Sequence, residues 1–209
     1  MINKRRDLRI LWNSNAVHTN SGYGVQSRDL LFRMARDGWP TSQIGFWGVD
    51  GYPVTLYGQD LIDDRFKDVK LYVYPKTSDP FGSDALVYHG MDYKANAIFT
   101  MQDIHLLNPA HLQQLRVFIP YVPIDKDPVP PEVLNRLSFA YKIITFSEFG
   151  QRTLLKAGFT STLILEGTDT EIFKPMDRVA CRKELNMPVE PFMFGMIAAN
   201  KENPPRKGF

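Results

Sequence analysis

The strongest constraint on this chain is an alternation: short apolar runs of strand length recur along it, separated by polar loops and by stretches with helical spacing. Leu8-Arg9-Ile10-Leu11-Trp12 reads as a buried strand, and Asn13 to Gly22 as a long loop behind it. From Gly24 to Asp37, Leu30, Leu31, Met34 and Ala35 recur at i, i+1, i+4 and i+5, which predicts a helix with Gly38 as its left-handed cap. Thr41 to Trp47 then completes a βαβ pattern. Further strand runs fall at Val69 to Tyr74, Ala97 to Gln102, Val117 to Val122, Ile143 to Phe146 and Thr162 to Leu165. Helical stretches at Pro109 to Leu115, Pro131 to Ala140 and Glu148 to Lys156 lie between several of them. Strands that alternate with helices imply an α/β fold, a doubly wound and mostly parallel sheet covered on both faces. Such sheets bind ligands beyond the carboxyl ends of their strands, so the loops that follow the strands are the place to look for function.

The 209 residues suit one full domain and part of another. Residues 1–166 form the first. Residues 167–176 read as a linker, a turn with a short apolar anchor at Ile172-Phe173 closed by Pro175. Residues 177–209 open a second domain. It has a helix over Asp177 to Asn186, with Ala180 and Leu185 on its apolar side, and a fully buried strand over Phe192 to Ala199. One helix and one strand cannot bury a core, so this second domain is expected to be incomplete, with apolar surface that favours self-association.

A hydrophobic content of 44% excludes a disordered chain. The 25 basic and 23 acidic residues leave a net charge of +2, too small for a sequence-wide pull on nucleic acid or an anionic membrane. Any anion site must therefore be local. Asp7 and Arg9 interrupt what would have to be the apolar core of an export signal. The uncharged runs Val117 to Ile124 and Phe192 to Ala199 fall far short of a bilayer span. Cys181 stands alone, so no internal disulfide or cysteine metal cluster forms. Together these features point to the cytoplasm.

Among the loops, Ser21-Gly22-Tyr23-Gly24 lies where the first strand hands over to the first helix. Glycines let a backbone approach a ligand, and the unpaired amides of a helix start favour phosphate; the plain alternative is a flexible turn. A dinucleotide fingerprint is incomplete here, because Ser27 holds the third glycine position and Asp50 lies too far along to serve as the ribose-binding acid. Asn200 to Gly208 follows the last strand run and carries Lys201, Arg206 and Lys207 on a proline-stiffened loop, which suits an anion as well as it suits a solvated tail. Gln102-Asp103-Ile104-His105 ends another strand, where Asp103 either faces the ligand edge or caps a helix and His105 either handles a proton or lies idle on the surface. Asp125-Lys126-Asp127 has the spacing of a metal-binding pair, but chance alone produces such a pair in a chain with this much Asp. Pro128, Pro130 and Pro131 suggest instead a turn that opens a helix. Ser147 is read as a helix cap with Glu148 at the positive end.

Gly22-Tyr23-Gly24, Ser147-Glu148-Phe149-Gly150, Gly167 to Pro175 and Asn203 to Gly208 occur in the order in which similar segments occur in the family-4 glycosyltransferases of the GT-B fold, and the chain resembles the first half of such an enzyme. The Gly-x-Asp-x-x-x-Phe-x-Pro segment is the most specific of the four. The resemblance implies two Rossmann-like domains around a cleft, the first holding the acceptor and the second a nucleotide-sugar donor. Transfer would retain configuration and need no metal or other cofactor. By position, Gly22, Tyr23 and Gly24 resemble the loop beside the donor diphosphate, while Lys201, Arg206 and Lys207 look like the cations that face it. Each fixed cation or amide aimed at the departing diphosphate supplies about 3 kcal/mol to the transition state.

The sequence departs from the family in two places. Gln102 stands where many members have His, leaving Asp103 and His105 as the catalytic candidates on that strand end, and Asn200-Lys201 replaces the usual Gly-Arg. The family's paired glutamates and nucleotide pocket have no counterpart up to Phe209, so these residues alone are expected to bind donor weakly or not at all. Two other readings compete. One is a truncated, non-catalytic sugar-binding module, which exposed apolar surface would favour. The other is a nicotinamide-dependent oxidoreductase, which would bind its cofactor at Gly22 to Gly24.

Overall fold

The computed structural model describes residues 7–196. The chain divides into two compact units, Met1–Gly167 and Thr168–Phe209.

The first unit is built on one strand. β1 (Ile10–Asn15) is buried along its whole length and pairs in parallel with β2 (Thr41–Trp47) on one side and with β5 (Ala97–Met101) on the other. Successive side chains of a strand point to opposite faces, so Leu11 and Trp12 seed two separate cores. Leu11 packs with Ile44, Leu86, Ile98 and Phe118, and Trp12 with Leu31, Phe32, Val73 and Met101. Helix α1 (Gly22–Arg36) supplies Leu31 and Phe32 to the second core. Each such side chain, fully removed from water, contributes about 2 kcal/mol.

The remaining strands are β3 (Val54–Tyr57), β4 (Lys70–Tyr74), β6 (Phe118–Val122), β7 (Ile143–Thr145) and β8 (Ser161–Leu163). The sheet order is β3-β4-β2-β1-β5-β6-β7-β8, parallel throughout except for β3 against β4. Strand order therefore reverses direction at β1, which makes the gap between the ends of β1 and β5 the topological switch point of a doubly wound, Rossmann-like sheet. The helices are α1, α2 (Gly58–Leu61), α3 (Ser83–Asp92), α4 (Pro109–Leu112), α5 (Pro131–Leu137) and α6 (Glu148–Lys156), with α7 (Arg178–Glu184) in the second unit.

The largest departure from the sequence pattern in this unit is at β1, which runs on through Asn13, Ser14 and Asn15. These polar side chains enter the interior because each finds a partner there. Asn13 Nδ2 donates to Phe81 O at 3.1 Å, Ser14 Oγ to Met101 O at 2.8 Å, and Asn15 Nδ2 to Ser21 Oγ at 2.8 Å. Ser27 is buried as well and accepts from Trp12 Nε1 at 3.0 Å, so the third glycine position is occupied by a core hydrogen-bond acceptor. β3 and α3 lack the expected patterns, since β3 is a short, mostly exposed edge strand and α3 carries His89 and Gly90 on its buried side. Gly38 closes α1 at φ +86°, in the left-handed region.

The second unit corrects three expectations. The run from Phe192 forms no strand within its described part, Phe192 to Met196, where Phe192 and Phe194 are 82% and 94% exposed. A strand needs a partner for its backbone, and residues 168–196 offer none. Ile172 and Phe173 are exposed rather than anchored, because Asp169 shapes that turn: its carbonyl accepts from Phe173 N at 2.8 Å and its side chain from Glu171 N at 2.9 Å. Ala180 on α7 and Leu185 just past its end are exposed for the same lack of a facing element.

Replacing Ser27 by Gly would complete the glycine fingerprint but leave the buried Trp12 N–H without a partner in mid-helix. Urea unfolding is expected to show a loss of about 2 kcal/mol or more for Ser27→Gly. No measurable loss would mean that the Trp12 hydrogen bond contributes nothing.

Candidate functional site

The loops that follow β1, β5, β6 and β8 at the carboxyl edge of the sheet supply the residues of this site. The chain leaves β1 through Ala16, whose amide donates to Trp47 O at 2.9 Å, and turns at Thr19, whose amide and hydroxyl both donate to Ala16 O. Ser21 then caps α1, its Oγ accepting from Gly24 N at 3.1 Å. The amides of Gly22 and Tyr23 have no acceptor among the described residues, so this 15-residue helix presents two free donors at its positive end, beside the end of β5.

The two glycines of the loop do different jobs. A Cβ on Gly22 would meet nothing within 4 Å, whereas one on Gly24 would strike Thr19 Oγ1 and lie 2.5 Å from Thr19 O. Gly24 is buried and makes room for the protein's own backbone; Gly22 is exposed and is the position open to a ligand. The space beside Gly24 is thus filled by Thr19, while that beside Gly22 stays open.

Tyr23 bridges the switch point. Its hydroxyl donates to Asp103 Oδ1 at 3.3 Å, from the start of α1 to the loop after β5. Burial, first, and then the carboxylates of Asp103, Glu166 and Asp125 push the tyrosine hydroxyl well above its ordinary pKa, so it stays protonated as a donor. Asp103 makes no capping bond to the 3₁₀ turn Ile104–Leu106 that it precedes, which sets aside its reading as a cap. His105 is exposed in that turn.

Sequence reasoning missed the far wall of this crevice. Tyr121, at the end of β6, donates to Ile164 O at 2.7 Å, and Gln26 Nε2 donates to Gly167 O at 3.1 Å, so residues 164–167 are tied to the sheet and to α1. Glu166 lies between these two ties, where burial raises its carboxyl pKa; burial and Glu166 in turn push Tyr121 up to about 12. The available signal was that Glu166 follows a strand run at the ligand edge.

Gln102 is turned into the protein. Its Nε2 and Asn13 Nδ2 both point to Phe81 O, at 3.5 and 3.1 Å, leaving Gln102 Oε1, Asn13 Oδ1 and the neighbouring Thr100 Oγ1 buried without a partner. Asp127 pairs with Lys156 at 2.6 Å in the turn before α5, and Ser147 Oγ accepts from Gly150 N at 3.0 Å as the expected cap of α6. Lys201, Arg206 and Lys207 lie outside the described residues.

Two other concavities bear on the choice of site. A groove of about 290 Å³ on the same carboxyl edge is lined by His18, Gly48, Val49, Asp50, Val54 and Leu56. A larger one, about 660 Å³, lies at the amino ends of β7 and β8, between residues 137–143 and 158–162. Ligands of parallel sheets bind at the carboxyl edge, so volume alone does not favour the larger groove.

Among the described residues no group of His, Cys, Asp and Glu side chains is arranged to hold a metal, and no helix is long and apolar enough to cross a membrane. No protein-family model matches the chain, and no curated protein matches it.

Two outcomes follow from this geometry. Gly24→Ala is expected to lower the thermal midpoint sharply while Gly22→Ala leaves it nearly unchanged, and equal effects would contradict the division of roles. Glu166 holds its proton more tightly in the folded chain than in the unfolded one. Its contribution to stability is therefore present at low pH and lost as pH rises through the range just above that of an ordinary glutamate. Unfolding titrations of Glu166→Gln should lack that slope, and a slope equal to that of the parent chain would show that Glu166 is not its source.

Proposed function

We propose that the chain is the acceptor-side part, with the opening of the donor side, of a retaining glycosyltransferase that takes its sugar from a nucleotide-sugar donor. The observation that carries the reading is the start of α1 at the switch point: two free amides on an open glycine turn, with Asp103 and Tyr23 beside them. When the bond from sugar to phosphate breaks, negative charge builds on the diphosphate, and helix-start amides are suited to receive it.

Electrostatics adds a condition. Asp103, Asp125 and Glu166 all bear on the same crevice and oppose a diphosphate there. Two amides cannot offset three carboxylates, so the reading requires the cations at Lys201, Arg206 and Lys207 to face the leaving group. Asp103 acts in this scheme by holding Tyr23 and by placing negative charge near the sugar carbon, where positive charge develops. His105 is the remaining candidate on that loop for contact with a hydroxyl.

An oxidoreductase has less support, because the position of the third glycine carries the core residue Ser27 and Asp50 is paired with Lys76 at 2.5 Å. The non-catalytic module draws on the exposed Phe192, Phe194 and Met196.

Equilibrium dialysis of the 209-residue chain against nucleoside diphosphate sugars should give weak binding, of about millimolar strength, that inorganic pyrophosphate displaces. Gly22→Val should abolish it without unfolding the chain. Preferential binding of reduced nicotinamide dinucleotide, or donor binding that ignores Gly22→Val, would overturn the reading.

A further inference from the structure

The groove lined by His18, Gly48, Val49, Asp50, Val54 and Leu56 is built by close backbone packing. Gly48 has φ +111°, and a Cβ there would lie 2.6 Å from Thr19 Cγ2 and 3.3 Å from His18 Nε2. His18 Nε2 sits 3.0 Å from Gly48 O, so that nitrogen carries the proton and Nδ1 is left as an acceptor. Asp50 gives Oδ1 to Lys76, and its Oδ2 has no partner among the described residues. The groove thus combines an apolar wall, Val49, Val54 and Leu56, with two polar groups that seek hydroxyl donors. Trp47, 58% exposed, and Tyr52, 85% exposed, flank its lining residues in sequence.

Charge decides what such a groove accepts. The loops that follow the strands carry Asp50, Asp79, Asp103, Asp125, Asp127 and Glu166 against Lys76 and Lys126, and Lys76 is already paired with Asp50. None of the groove's six lining residues is Lys or Arg and one is Asp50, so a polyanion entering the groove itself is repelled. A nucleic acid, a phosphorylated sugar or an anionic lipid headgroup is therefore disfavoured. The volume, about 290 Å³, is at the lower end of ligand sites and suits one or two rings rather than a long chain. A sugar ring has one apolar C–H face and a rim of hydroxyls, which matches one apolar wall and two acceptors.

We infer that this groove is the acceptor subsite of the proposed transferase and that it takes an uncharged saccharide. The assignment rests on the transferase reading for the word acceptor, but the groove's preference for neutral sugars can be measured without turnover. Backbone amide shifts of the 209-residue chain would be followed by NMR during titration with glucose, N-acetylglucosamine, maltose and cellobiose, and in parallel with glucose 6-phosphate and a short single-stranded oligonucleotide.

At least one neutral sugar should move the Gly48–Tyr52 amides, and Asp50→Asn should weaken that response at least fivefold. Leu56→Arg, which fills and charges the wall, should remove it while nucleotide-sugar binding at Gly22 persists. If no neutral sugar perturbs these amides, or if the phosphorylated sugar or the oligonucleotide does so more strongly, the inference fails. Loss of nucleotide-sugar binding together with intact saccharide shifts would instead overturn the transferase reading and leave a sugar-binding groove.

Discussion

The carboxyl edge of this sheet is shaped by a wedge of backbone. Ala16 and Thr19, just past β1, fit between β2 and α1 only because Gly45, Gly48 and Gly24 carry no side chains at the contact. A Cβ on Gly45 would lie 2.8 Å from Ala16 Cβ, one on Gly48 would run into Thr19 Cγ2, and one on Gly24 into Thr19 Oγ1 and O. That packing fixes the entry of α1, and with it the direction of the free Gly22 and Tyr23 amides. It also sets His18 over Gly48, so the switch-point crevice and the neighbouring groove depend on the same few contacts.

From this follows a division of electrostatic labour. The first unit offers the oriented amides of Gly22 and Tyr23 within a rim of carboxylates, while the Tyr23 and Tyr121 hydroxyls already donate to Asp103 and to Ile164 O. Such an edge is suited to uncharged hydroxyl compounds and to developing positive charge, and poorly suited to holding a phosphate without help. The proposed transfer needs both environments, and the cations it assigns to the second, Lys201, Arg206 and Lys207, lie outside the described residues.

Much of this was legible in the sequence because the signals were local. The 3.6-residue spacing and Gly38 marked α1, the capping serine marked α6, and the alternation of elements marked the parallel sheet. What escaped was non-local. Asn13, Ser14 and Asn15 read as loop because they are polar, and only partners as distant as Phe81 and Met101 allow them into a buried strand. The different roles of Gly22 and Gly24 depend on Thr19, whose position no spacing rule gives. Glu166 belongs to the site through ties at Tyr121 and Gln26 that span 43 and 141 residues. In residues 168–196 the apolar pattern promised burial, but pattern alone cannot bury a face without an element to cover it.

The central claim is that the start of α1 at the switch point is where the diphosphate of a donor is received. Amide-detected NMR of the isotopically labelled chain during titration with a nucleoside diphosphate tests it most directly. The account predicts that the Gly22 and Tyr23 resonances shift first and furthest, with Asp103 following through the Tyr23 hydroxyl. Unmoved Gly22 and Tyr23 signals, with shifts confined to residues 138–142 and 158–162 at the opposite edge, would contradict it.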